Sequence, residues 1–129
     1  MRPSFRPPRN AFVSMLAVAA LTASAALPAA AHAYLERARP IANSTVHESP
    51  RDLTLWFTQR IEPAFSEIRV LDSAGKRVDG EHKPQVGEDG KVLRVALPKL
   101  AIGGYRVKWR VVSVDSHVSE GEFAFDVAR

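Results

Sequence analysis

Apolar and polar positions alternate cleanly from Asp52 onward. Leu53, Leu55 and Phe57 fall on one side of an extended chain and Thr54, Trp56 and Thr58 on the other, between Pro50 and Pro63. Ile68 and Val70 alternate within Glu67–Leu71, and the run stops at Asp72-Ser73-Ala74-Gly75, a turn composition. Residues 79–90 are polar and broken by Pro84, Gly87 and Gly90, which predicts a loop or a short edge strand. Alternation returns over Lys91–Leu97 and is cleanest over Tyr105–Val111, where Tyr105, Val107, Trp109 and Val111 point inward and Arg106, Lys108 and Arg110 outward. Phe123–Val127 supplies the last strand. Short segments separated by Pro and Gly, with no sustained helical period, predict an all-β sandwich of about seven strands.

Three aromatic residues refine that expectation. Trp109 lies mid-strand on the apolar face and reads as core. Trp56, opposite Leu55, either is packed by a second sheet or lines the surface, and packing is the favoured expectation. Tyr105 follows the Gly103-Gly104 corner in the manner of the tyrosine corner of immunoglobulin-like sandwiches, where the phenol bonds a nearby backbone group.

Ahead of this region the pattern changes completely. Arg2, Arg6 and Arg9 precede Ala11–Leu27, 17 residues without charge, followed by small residues before Tyr34 and Glu36. Basic, apolar and small-residue regions in that order make residues 1–31 a cleaved secretory signal peptide, leaving residues 32–129 as one exported domain. An uncleaved membrane anchor fits less well, because the run is short and dominated by Ala, Ser and Thr. Cleavage after Ala31 starts the mature chain at His32, whereas cleavage after Ala33 starts it at Tyr34. The 98 residues from 32 to 129 suffice to bury roughly two-thirds of the unfolded surface.

Composition narrows the chemistry. The formal charge of +4 falls to +1 once the three leader arginines are set aside, so no nucleic-acid footprint remains. There is no Cys, which excludes disulfides, thiolate metal sites and a cysteine nucleophile. Both methionines, Met1 and Met15, lie in the leader, so residues 32–129 hold no thioether for a soft ion such as Cu(I).

Histidine is what remains. His47 and His82 stand in polar, loop-like contexts and read as solvated surface residues. His117 follows Asp115 by two, so in extended backbone the carboxylate and imidazole leave from the same side. A terminal His32 would bring an α-amine and an imidazole, and His117 and Asp115 would complete an N3O set of the tetragonal kind that suits Cu(II). By spacing alone a strand-end Asp/His pair is more often a plain hydrogen bond than a metal site. Glu120 and Glu122, close in sequence, would add negative charge favourable to a dication.

The start HAYLERARPIANSTV, the segment LTLWFTQRIEPAFSEIRV, the stretch LAIGGYRVKWRVVSVDSHVSEGEFAFDV and the leader together resemble the CopC family of periplasmic copper-binding proteins. The resemblance spans nearly all of the mature chain and is carried most specifically by the N-terminal His with WRVVSxDxH and the following G-x-x-x-F. It implies an immunoglobulin-like sandwich with Greek-key connections that binds Cu(II) through His32, Asp115 and His117. It also implies copper handling in the periplasm, as a monomer, beside a CopD-type inner-membrane protein. Residues 79–90 lack the Met of Cu(I)-binding members, so the Cu(II)-only type is expected. Where some members carry a Glu near copper this chain has Phe57-Thr58-Gln59, which gives Gln59 at most a role in orienting a bound water.

Two other readings stay open at this level. A terminal-His copper centre also resembles the histidine brace of copper oxygenases, although no cluster of exposed aromatic residues offers a substrate platform. An exported immunoglobulin-like interaction module with incidental histidines is the third.

Overall fold

Eight strands account for the regular structure of the described residues, which in this computed structural model are 32–87 and 89–129 together with Met1 and Pro3. They are β1 (Leu35–Arg39), β2 (Ser44–Val46), β3 (Asp52–Phe57), β4 (Glu67–Asp72), β5 (Gln85–Val86), β6 (Val92–Ala96), β7 (Gly103–Val112) and β8 (Val118–Val127), with one 3-10 turn at Pro63–Phe65. One sheet runs β1-β3-β6-β5 and the other β2-β8-β7-β4. The expected export segment, apart from Met1 and Pro3, lies outside the described residues. Among the described residues, no helix is long and apolar enough to cross a membrane.

The alternation read along the chain is the packing between these sheets. Leu53, Leu55, Phe57, Leu93 and Val95 of one sheet meet Ile68, Val70, Val107, Val111 and Phe125 of the other, all essentially inaccessible to water. Each such side chain contributes about 1.5–3 kcal/mol on transfer from water. The Tyr105 hydroxyl donates to the Ala101 carbonyl at 2.6 Å while its ring stacks on Phe125, so the tyrosine corner is present.

The eight strands of the described residues agree with the expected number of about seven, and β5 is the edge strand foreseen within 79–90. Three features differ from the pattern-based expectation: β2, which pairs parallel with β8 over three residues, β1 and Trp56. β1 escaped the alternation because Ala38 is its only fully buried residue and a register shift between Leu35 and Arg37 breaks its period. Trp56 is not packed by the second sheet. It stands on the outward face, half-buried beneath the Arg37 guanidinium, 4.1 Å from the ring centroid.

Trp109 packs against the core with its edge on Phe57, ring centroids 5.3 Å apart, and lies over Gly121, its register partner on β8. A Cβ built at Gly121 would lie 2.5 Å from Trp109 Cζ2 and 2.9 Å from Cε2. Gly121→Ala therefore has to displace the indole, and a loss of about 1–3 kcal/mol is expected in chemical unfolding, with weakened Trp fluorescence change as the accompanying sign. The long β7–β8 hairpin carries its turn, residues 113–117, past the end of the core, and that turn holds Asp115 and His117.

Candidate metal centre

Two stretches distant in sequence meet through the segment that leaves β3. On one side, Tyr34 N–H donates to Thr58 Oγ1 and Thr58 N–H to the Tyr34 carbonyl, each at 2.9 Å, which fixes the lead into β1. On the other, Glu62 N–H donates to the Val112 carbonyl at 2.8 Å and Val114 N–H to the Arg60 carbonyl at 3.0 Å, with Ile61 bridging Ser113. Residues 58–62 thus tie the N-terminal lead to the hairpin turn. Ala33 is fully buried, and the flanking His32 and Tyr34 face solvent.

The turn is closed locally. Ser113 N–H donates to the His117 carbonyl at 2.9 Å, Ser116 N–H to the Ser113 carbonyl at 2.8 Å, and Ser116 takes a left-handed φ of 71°. Ser113 Oγ donates to Asp115 Oδ1, which also lies 3.3 Å from His117 Nδ1. The Ser113 hydroxyl, followed by the His117 contacts, holds the Asp115 carboxyl below its ordinary pKa. A depressed carboxylate stabilises the fold above its unfolded pKa and loses that contribution as pH falls through the folded value, so Asp115 stays ionised at neutral pH. Facing Nδ1, it leaves Nε2 of His117 as the outward donor.

Against this turn stands His32. Its ring centroid is 5.2 Å from that of His117, at an interplanar angle of 69°, and 6.5 Å from the Tyr34 ring. With metal–imidazole bonds of about 2.0 Å, ring centres lie about 3.2 Å from an ion, so two rings sharing one ion sit about 4.5–6.4 Å apart. The observed separation falls inside that interval. Among the described residues no group of three His, Cys, Asp or Glu side chains forms a ready-made cage, so the pair is short of a site unless a further donor joins it.

Residues 35–128 match the CopC domain. The chain belongs to the CopC domain family. Copper resistance protein C of Xanthomonas campestris pv. juglandis is 35% identical over 125 residues, 92% of this chain and 96% of that one. The crystal structure of CopC from Methylosinus trichosporium OB3b is 40% identical, with a TM-score of 0.70 over 74% of this chain and 93% of its own. PcoC, a methionine-rich copper resistance protein from Escherichia coli, is 30% identical, with a TM-score of 0.67 over 76% of this chain and 100% of its own.

Within this CopC-domain chain the other expected residues separate from the His32/His117 pair. His47 and His82 are exposed, His47 Nδ1 lying 2.7 Å from the Arg129 carbonyl. Glu120 and Glu122 stand on the outward face of β8, in register with Arg110 and Lys108, and Glu122 lies 3.9 Å from Lys108 Nζ. Gln59 is exposed, midway along the tying segment. Sequence reasoning missed Thr58 and Ser113. Ser113 precedes Asp115 by the same two-residue step that paired Asp115 with His117, whereas nothing local marked Thr58.

Proposed function

We propose that this CopC-domain chain is a periplasmic Cu(II)-binding protein of copper homeostasis and resistance, a carrier or buffer without turnover. The ligands are the His32 α-amine and imidazole and the His117 imidazole, with Asp115 beside them either as the oxygen of an N3O set or as the group that orients the His117 ring. Residues 1–31 are the signal peptide, removed after Ala31, since only that cleavage frees the His32 amine. The cargo passes to a CopD-type inner-membrane protein, and the carrier works as a monomer.

The observation that carries this reading is the 5.2 Å approach of the His32 and His117 rings across a fold otherwise built for packing. Support for copper comes from the names of the relatives, and support for Cu(II) over Cu(I) from the absence of Met and Cys in residues 32–129.

Intact-mass measurement of the exported protein tests the first step: a mass beginning at His32 is expected, and one beginning at Tyr34 removes the proposed site. Titration of that protein then takes up one Cu(II) per chain, with nitrogen hyperfine structure in the electron paramagnetic resonance spectrum. Uptake weakens in acid, because an amine with an intrinsic pKa of about 7.7–8.0 must shed its proton to bind. Asp115, held ionised, does not set that midpoint.

A further inference from the structure

The two outer faces of the sandwich arrange their charges differently. On the β2-β8-β7-β4 face, Arg69, Arg106, Lys108 and Arg110 are interleaved with Glu67, Glu120, Glu122 and Asp126. Arg69 Nε lies 2.7 Å from Glu67, and Glu67 and Glu120 flank Arg110 in register. That face neutralises itself.

The β1-β3-β6-β5 face does not. Arg37, Arg39 and Arg94 project from it, Arg51 and Lys83 stand at its rim, and Asp52 is the acid on its central strand β3, with Glu36 in the β1 irregularity. Among the described residues, none of those five cations has a carboxylate within 4.0 Å. The register Arg39–Thr54–Arg94–Gln85 forms one cross-strand row, with the two arginine Cα atoms about 10 Å apart at ordinary strand spacing. Beside this row a cleft of about 420 Å³ opens between Arg51, Asp52, His82, Lys83, Gln85 and Arg94. The Thr54 hydroxyl links this row to the cleft, accepting from Arg94 Nε at 3.3 Å and donating to Asp52 Oδ1 at 3.0 Å.

We infer that this face is a docking surface for an acidic polypeptide segment, with an Asp or Glu side chain of the partner seated between Arg51, Lys83 and Arg94. Charge complementarity selects an acidic partner, since same-sign cations left unpaired on a sheet repel one another until an anion arrives. The preponderance of arginine favours carboxylates, whose two oxygens match the guanidinium fork. A lipid surface is the poorer fit because Trp56 is folded under Arg37 and offers no aromatic wedge for insertion. The inference does not rest on metal binding.

The test uses metal-free purified protein and a fluorescent glutamate decamer at low and moderate salt. Binding at low salt that weakens as salt rises is expected, with amide shifts in NMR spectra concentrated on β1, β3, β6 and residues 82–85. Arg39→Glu with Arg94→Glu weakens binding by about tenfold or more, while Arg106→Glu with Lys108→Glu on the balanced face changes it by less than about twofold. The inference is overturned if both pairs lose equally, if the shifts map to β7 and β8, if the decamer fails to bind at low salt, or if phosphatidylglycerol vesicles bind more tightly than the decamer. Should the doubly reversed variant unfold, the wild-type shift map decides alone.

Discussion

Asp79→Ala is expected to destabilise the domain by about 3–5 kcal/mol, the range for removing one partner of a buried ion pair. Asp79 is wholly inaccessible, and its carboxylate accepts from Arg77 Nε at 2.8 Å, from Arg77 Nη2 at 3.0 Å and from the Val70 N–H at 3.2 Å. β4 is an edge strand, and the return segment through Val78, whose N–H donates to the Val70 carbonyl at 2.8 Å, covers that edge. Truncation leaves a buried backbone donor and a half-buried guanidinium without their acceptor. A fall in Tm of roughly 12–40 °C follows for a domain of this size. Asp79→Leu with Arg77→Leu, which removes both charges, should recover most of the loss, and a double variant as unstable as Asp79→Ala would show that the carboxylate matters mainly through the Val70 amide.

His117→Ala is expected to weaken Cu(II) binding by more than about 100-fold, beyond the 10–100-fold usual for groups that merely orient a ligand. Adding one Ala ahead of His32 should match it, since the imidazole remains while the amine becomes an amide. Asp115→Asn separates the two roles open to that carboxylate. As the chain stands, Asp115 Oδ1 faces His117 Nδ1, so an orienting role predicts a loss of about 10–100-fold and a copper ligand a larger one. Competition titration against a chelator of known affinity reads all three, and equal affinity for His117→Ala and wild type would remove the proposed site.

The core strands were legible because burial on one face writes itself into the sequence with a period of two, as in Leu53–Phe57 and Tyr105–Val111. β1 and β2 were not, since one holds a single buried residue amid a register shift and the other is three residues long. Trp56 misled for a related reason: alternation assigns a side chain to a face but does not say what covers that face, and here it is an arginine from the neighbouring strand. Asp79 lay hidden in a polar run that reads as solvent-facing loop, because sequence does not reveal which carboxylate of such a run turns inward. For the site, the Asp-x-His step and His32 at one of the two expected cleavage points were visible as separate signals. Their meeting depends on the backbone bonds of residues 58–62, which no local pattern encodes.

The meeting of His32 and His117 also bears on the denatured chain. The two imidazoles are separated by some 85 residues of sequence, and an unfolded polymer grasping one ion with both would have to close a loop of that length. In the chain-entropy treatment of cross-links such closure costs about 4–5 kcal/mol. Folding performs that closure beforehand, so an ion bound as proposed would act, in a chain without cysteine, as a removable cross-link between its two halves, closing a chelate ring whose entropy the sandwich has already surrendered.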